Sequence, residues 1–211
     1  MLYLIKLCLQ AHEKVPVVNP FLTQQEQAIL LDFAFQTVKA TAEGKETPDV
    51  NLDQVPARLR SPAATFVTLS LDGVLRGCIG TTQPQLPMVQ DVLERARSAA
   101  SRDPRFPPIK PDEVAQLEIE ISVLTPPQPL QFSSAKQLLE SLQPGIDGVI
   151  IQKGVHRATF LPQVWERIDD PRTFLELLCQ KASLHRDAWH SEEIQVATYQ
   201  VESFHRPPGA S

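Results

Sequence analysis

Asp72-Gly73 stands between two runs of alternating character, and no other feature constrains this chain as tightly. A two-residue hairpin turn holds both central residues at positive φ, and Asp-Gly is a preferred pair for it. The turn then sets the register of the flanking strands. Leu71 is expected opposite Val74, Leu69 opposite Arg76 and Val67 opposite Cys78 on one face, with Thr68 opposite Gly77 and Phe66 opposite Ile79 on the other. In that register Arg76 and Cys78 point the same way, roughly 6 to 7 Å apart along the strand. Gly77 and Gly80 flank the cysteine. Because glycine weakens a strand, the pair signals a bulge, or the close approach of a ligand or of another backbone.

A thiol beside a guanidinium has two readings. Only the thiolate is a strong nucleophile, and a nearby positive charge favours it by about 2 to 3 kcal/mol at an effective dielectric near 20. On that reading Cys78 is a candidate nucleophile and Arg76 binds an anionic group through its forked donors. On the other, Cys78 is a small hydrophobe packed beside Val67, and Arg76 pairs with a neighbouring carboxylate.

The rest of the chain narrows the function classes. A net charge of -5 with no run of Lys or Arg argues against nucleic acid as the main partner, since that binding rests on clustered cations. The apolar run Met1 to Leu9 is interrupted by Lys6 and too brief to span a bilayer, so no membrane association is expected. The three cysteines, Cys8, Cys78 and Cys179, form no CxxC pair and fit a reducing cytoplasm. Cys179, His185 and His190 do not share a helical face, and His156 and His205 lie in separate elements, so no metal is expected. The chain has no phosphate-binding GxxxxGK[ST] loop, dinucleotide GxGxxG or GxSxG elbow, and no cofactor is assigned.

Thr23 with Glu26 is a capping box for a first long helix that Gly44 stops. Residues 45–62 read as an ordered loop. After the hairpin, Pro87 opens a helix with Val89, Val92, Leu93, Ala96 and Ala100 on one face, and Asp91 and Arg95 pair on its polar side. Leu117, Ile119, Ile121 and Val123 alternate with Glu118, Glu120 and Ser122 as a strand with one polar face. A short helix follows Ser134, a second hairpin turns at Lys153-Gly154, and Asp170-Pro171 caps a helix bearing Phe174, Leu177 and Leu178. Val196 to Phe204 closes the chain as one strand. Hairpins mixed with helices, without regular strand-helix-strand alternation, argue for α+β.

Five motifs carry a family resemblance: LRGCIG at 75–80, DPRF at 103–106, IEISVLTPP at 119–127, FLPQV at 160–164, and the stretch from Cys179 to Trp189. In order and spacing they resemble the AMMECR family, also called AmmeMemoRadiSam system protein A. The resemblance implies an α+β fold of two packed subdomains, mixed sheets with flanking helices, and the LRGCIG segment at a cleft. Residues 1–20 fall outside it and are read as a terminal appendage, with 21–206 as the family domain whose subdomains do not fold independently and 207–211 as a tail. The resemblance implies no established reaction. Ser183 stands where the family's CxKAGL pattern has glycine.

The candidate site follows from both readings. Cys78 and Glu120 are the catalytic candidates, as nucleophile and base. Arg76, Gly77, Gly80, Arg105 and Ser122 are the ligand-binding candidates, with Glu120 and Ser122 facing solvent two residues apart. The same residues admit a structural account: Glu120 paired to Arg76 or Arg105, and Asp103 with Arg105 forming a turn after the helix. Lys181 and Trp189 are expected to pack and snorkel at a helix end. The leading functional expectation is a small anionic ligand held in a cleft beside LRGCIG, with Cys78 chemistry. The competing one is a non-catalytic protein that docks to a Memo-type or radical SAM protein.

Overall fold

The computed structural model describes residues 21–209, so the expectation for the segment Met1 to Leu9 lies outside the described residues. Thr23 caps helix α1, Gln24–Ala42, with the reciprocal Thr23–Glu26 bonds of a capping box, and Gly44 ends it at φ 67°. The following loop contains a 3-10 turn, Leu52–Gln54, and a four-residue helix α2, Ala57–Arg60. Strands β1, Pro62–Leu71, and β2, Val74–Gly80, form the expected hairpin, with Asp72 and Gly73 both at positive φ. Next come β3, Leu86–Pro87, and helix α3, Met88–Ser101, for which Pro87 is the residue before the first turn rather than part of it. Strands β4, Leu117–Leu124, and β5, Gln128–Pro129, precede helix α4, Ala135–Ser141. Strands β6, Gly148–Lys153, and β7, His156–Phe160, are followed by helix α5, Pro171–Lys181, and by strands β8, Gln195–Tyr199, and β9, Val201–Arg206.

The described residues divide into two compact units: 21–124 with 202–209, and 125–201 inserted between them in the sequence. The first unit holds a sheet in the order β2-β1-β4-β9, with β3 joined to β1. One face of that sheet is apolar and packs on the helices. Val67 and Leu69 of β1, with Ile119, Ile121 and Val123 of β4, form one core with Leu30 and Val38 of α1 and Val89, Val92 and Ala96 of α3. Asp91, expected on the polar side of α3, is instead 1 % exposed. It does pair with Arg95 at 3.1 Å, and it also accepts from the Thr65 N–H at 3.0 Å and the Thr65 hydroxyl at 2.7 Å. A buried carboxylate satisfied this fully ties helix to strand instead of facing water.

The second unit holds an antiparallel sheet in the order β5-β8-β6-β7. Its hairpin turns at Gly154-Val155, one residue later than the sequence suggests, because Lys153 pairs with His156 and only Gly154 needs positive φ. On α5, Leu175 is buried and Leu177 is exposed, the reverse of the expected emphasis. Phe174 stacks flat on Trp165, with centroids 3.7 Å apart. The closing strand is also corrected. At Gln200 it breaks into β8 and β9, which belong to different sheets, and the Gln200 N–H and carbonyl are both held by Thr125. No proline or glycine marks that break in the sequence. The α+β class holds.

Candidate functional site around Cys78

The hairpin register agrees with expectation at Leu71–Val74 and then slips. Ser70 pairs with Leu75, but Leu69 pairs with Gly77, Thr68 with Cys78, Val67 with Ile79 and Phe66 with Gly80. Arg76 is therefore the extra residue of a β-bulge, and every partner beyond it shifts by one. A shift of one residue exchanges the two faces of a strand. Cys78 moves from the expected row of Val67, which faces the helices, to the row of Thr68.

The two glycines explain how the bulged strand fits. A Cβ on Gly77 would lie 2.3 Å from the Ala99 carbonyl oxygen of α3, so the close approach inferred from sequence is made by helix backbone. A Cβ on Gly80 would meet the ring of Phe66 at 2.2 Å. In both places protein atoms occupy the space that a side chain would need.

Arg76 directs its guanidinium inward to the protein. It grips both oxygens of Glu113, at 2.7 and 3.0 Å, and donates to the carbonyls of Pro107 at 2.7 Å and Pro108 at 3.1 Å. Hydrogen bonding from Arg76 holds the Glu113 carboxyl below the usual range, against a smaller upward push from burial. The forked donors that suit an external anion are closed on an internal carboxylate.

Asp103 and Arg105 clamp the backbone of Cys78 itself. The Cys78 N–H donates to Asp103 Oδ2 at 2.9 Å, and Arg105 donates to the Cys78 carbonyl at 3.2 Å. Arg105 and Asp103 are joined in turn by bonds of 2.9 and 2.6 Å. The pair thus gives an edge strand the donor and acceptor that a neighbouring strand would supply. Burial pushes the Asp103 carboxyl up, but bonds from Arg105 and from the Cys78 N–H outweigh it and leave it lowered.

Cys78 is 3 % exposed, and the Thr68 hydroxyl donates to its sulfur at 3.3 Å. Thr68 also pairs in register with Glu120 of β4, so Cys78, Thr68 and Glu120 form a row across three strands on the face away from the helices. Since β1 lies between β2 and β4, the backbones of Cys78 and Glu120 are two strand spacings apart, about 9 to 10 Å. Glu120 is partly buried. Ser122 does not face solvent as expected: it is buried, with its hydroxyl 2.8 Å from that of Ser203 on β9. Sequence reasoning misses Thr68 because the bulge conceals its pairing, and misses Glu113 because 37 residues separate it from Arg76.

In the second unit, Lys181 lies against the Phe160 ring and donates to the Thr159 carbonyl at 2.8 Å, and burial lowers its amine to about 8. Burial likewise pushes the Cys179 thiol up. Among the described residues, no three His, Cys, Asp or Glu side chains gather as a metal site, and no helix is long and apolar enough to cross a membrane.

Residues 31–204 match the profile of the AMMECR1 family. The chain belongs to that family. Similar proteins occur in several archaea. A protein of Methanothermobacter thermautotrophicus is 40% identical over 158 residues, covering 72% of this chain and 80% of its own. One of Thermofilum pendens is 35% identical over 196 residues, covering 87% and 91%. The crystal structure of an uncharacterized protein, PH0010, from Pyrococcus horikoshii superposes with a TM-score of 0.69 at 30% identity, covering 90% of this chain and 96% of that one. The five motifs of the AMMECR1 resemblance all fall within the matched residues.

Proposed function

We propose that this AMMECR1-family chain binds a small molecule on the face of the first sheet that carries Cys78, Thr68 and Glu120. One observation carries the reading: the bulge at Arg76 brings a thiol, a hydroxyl and a carboxylate into one cross-strand row, with Thr68 donating to the sulfur. Arg76, Asp103 and Arg105 are the frame of that row. Their charges are closed on internal partners, which supports a ligand recognised by the row's acceptors over an anion captured by Arg76. The burial of Cys78 favours a contact role for its thiol over nucleophilic attack, since an electrophile reaches a 3 % exposed sulfur poorly.

Mass spectrometry of small molecules that co-purify with the full chain tests this directly. A bound species that is present in the wild type and lost from Glu120→Gln and Thr68→Val proteins of unchanged melting temperature is the expected result. Retention of the same species by both variants overturns the reading. Iodoacetamide decides the role of the thiol: with Cys8→Ser as background, labelling of Cys78 no faster than that of Cys179 keeps it a contact residue, and rapid labelling makes it a nucleophile.

A further inference from the structure

The second unit contains a cleft of about 780 Å³ that the Cys78 row does not touch. That volume suits a drug-sized molecule. Its floor is the β5-β8-β6-β7 sheet, where two cross-strand rows lie side by side. Pro129, Ala197 and Ile150 form an apolar row, since Ala197 pairs with both of the others. Gln195, Gln152 and Arg157 form the neighbouring polar row, since Gln152 pairs with both of the others. All six residues line the cleft.

Two residues of this lining hold side-chain donors without a partner. Arg157 is exposed and makes no hydrogen bond or ion pair among the described residues. Trp189, 1 % exposed at the cleft wall, holds an indole N–H that is buried without an acceptor. The contrast with Trp165 is direct, because that indole donates to the Asp147 carbonyl at 2.7 Å. Buried donors are almost always satisfied, so a bare one in a residue of the cleft wall leaves an indole signal that reports changes in what fills the cleft. The lining also carries Glu192, so its charge is one guanidinium against one carboxylate.

We infer that this cleft is a binding site for a small monocarboxylate with an apolar body. The carboxylate is gripped in bidentate fashion by Arg157 and flanked by the two glutamine amides, and the body lies along the apolar row. A lone guanidinium opposed by Glu192 matches the single charge of a carboxylate better than the greater charge of a phosphate.

The test uses the full chain and 4-phenylbutyrate as probe, followed by the indole N–H resonances of Trp189 and Trp165. Saturable movement of the Trp189 signal with Trp165 unmoved is expected. Binding is expected to weaken about tenfold or more for 4-phenylbutan-1-ol and for the Arg157→Gln protein, as loss of a charge-assisted pair predicts. Gln195→Glu, which places a negative charge in the polar row, weakens it as well and serves as the second variant. The inference is overturned by the absence of saturable binding, by equal affinity for acid and alcohol, by unchanged affinity in both variants, or by tighter binding of 3-phenylpropyl phosphate. None of these outcomes touches the Cys78 row, so this site stands or falls independently of the proposed function.

Discussion

Arg76 and Glu113 form a bidentate charged contact at the bulge, and its worth is measurable. Their side chains are only 13% and 18% exposed, and the pairing is bidentate. A double-mutant cycle with Arg76→Gln and Glu113→Gln is expected to give a coupling of about 1 to 2 kcal/mol, above the usual surface pair. The pH dependence has a definite sign. The folded Glu113 carboxyl lies below its unfolded value of about 4.3. Its contribution is therefore fully present above that value and disappears as pH falls through the folded one. Melting curves of wild type and Glu113→Gln should differ most near neutrality and converge in acid. Ser183 offers a second test at this scale. It sits at φ 59° after α5, with the Leu184 N–H bonded to the Cys179 carbonyl and the Ser183 N–H to that of Gln180, the two bonds of a Schellman cap. That position favours glycine, so Ser183→Gly is expected to raise stability by about 0.5 to 1 kcal/mol in chemical denaturation. The sequence pattern already singles out Ser183 as the place where glycine is missing. It does not reveal Asp91, because a carboxylate paired with Arg95 on a helix looks the same whether the strand opposite offers Thr65 or water.

Among the elements, strand β2 shows what alternation can and cannot reveal. The turn, both strands and the closeness of another backbone to Gly77 are all legible from Asp72-Gly73 and the glycine spacing. The row to which Cys78 belongs is not, because a single looped-out residue leaves the sequence pattern intact while exchanging the faces beyond it. Glu120 is legible as lying away from the helices, and Ser122 is too, but the burial of Ser122 depends on Ser203 arriving from the far end of the chain. The bulge itself depends on Gly77. A Gly77→Ala protein would force its new methyl against the Ala99 carbonyl, and we expect a loss of about 2 to 4 kcal/mol, with the Cys78 and Ile79 amide signals displaced most. A loss below about 0.5 kcal/mol would mean that helix and strand separate easily.

At the scale of the molecule, the first unit is completed by a strand that the chain reaches only after the whole second unit. Strand β9 lies beside β4, and Glu202 on it accepts from the Phe21 and Leu22 N–H groups and from the Gln27 side chain. The 3 % exposure of that carboxylate makes its partners hard to replace. A chain ending at Val201 is therefore expected to lose cooperative unfolding of the first unit while the Trp165 signal of the second keeps its native shift; a first unit that still melts sharply would contradict this. Neither the split of the last strand nor the carboxylate anchor is legible in sequence, since the break at Gln200 is held by Thr125, 75 positions away, and Glu202 reaches residues about 180 positions away.

That arrangement also sets a schedule for the ribosome. The residues that open the first helix are made before the inserted unit, but the carboxylate that fastens them is made only after it, so a nascent first unit waits with β4 unshielded until residues 125–201 have been synthesised. Slowing the codons for residues 201–206 should lengthen that exposed interval and raise dependence on chaperones, whereas slowing those that encode residues 125–200 should let the inserted unit settle first.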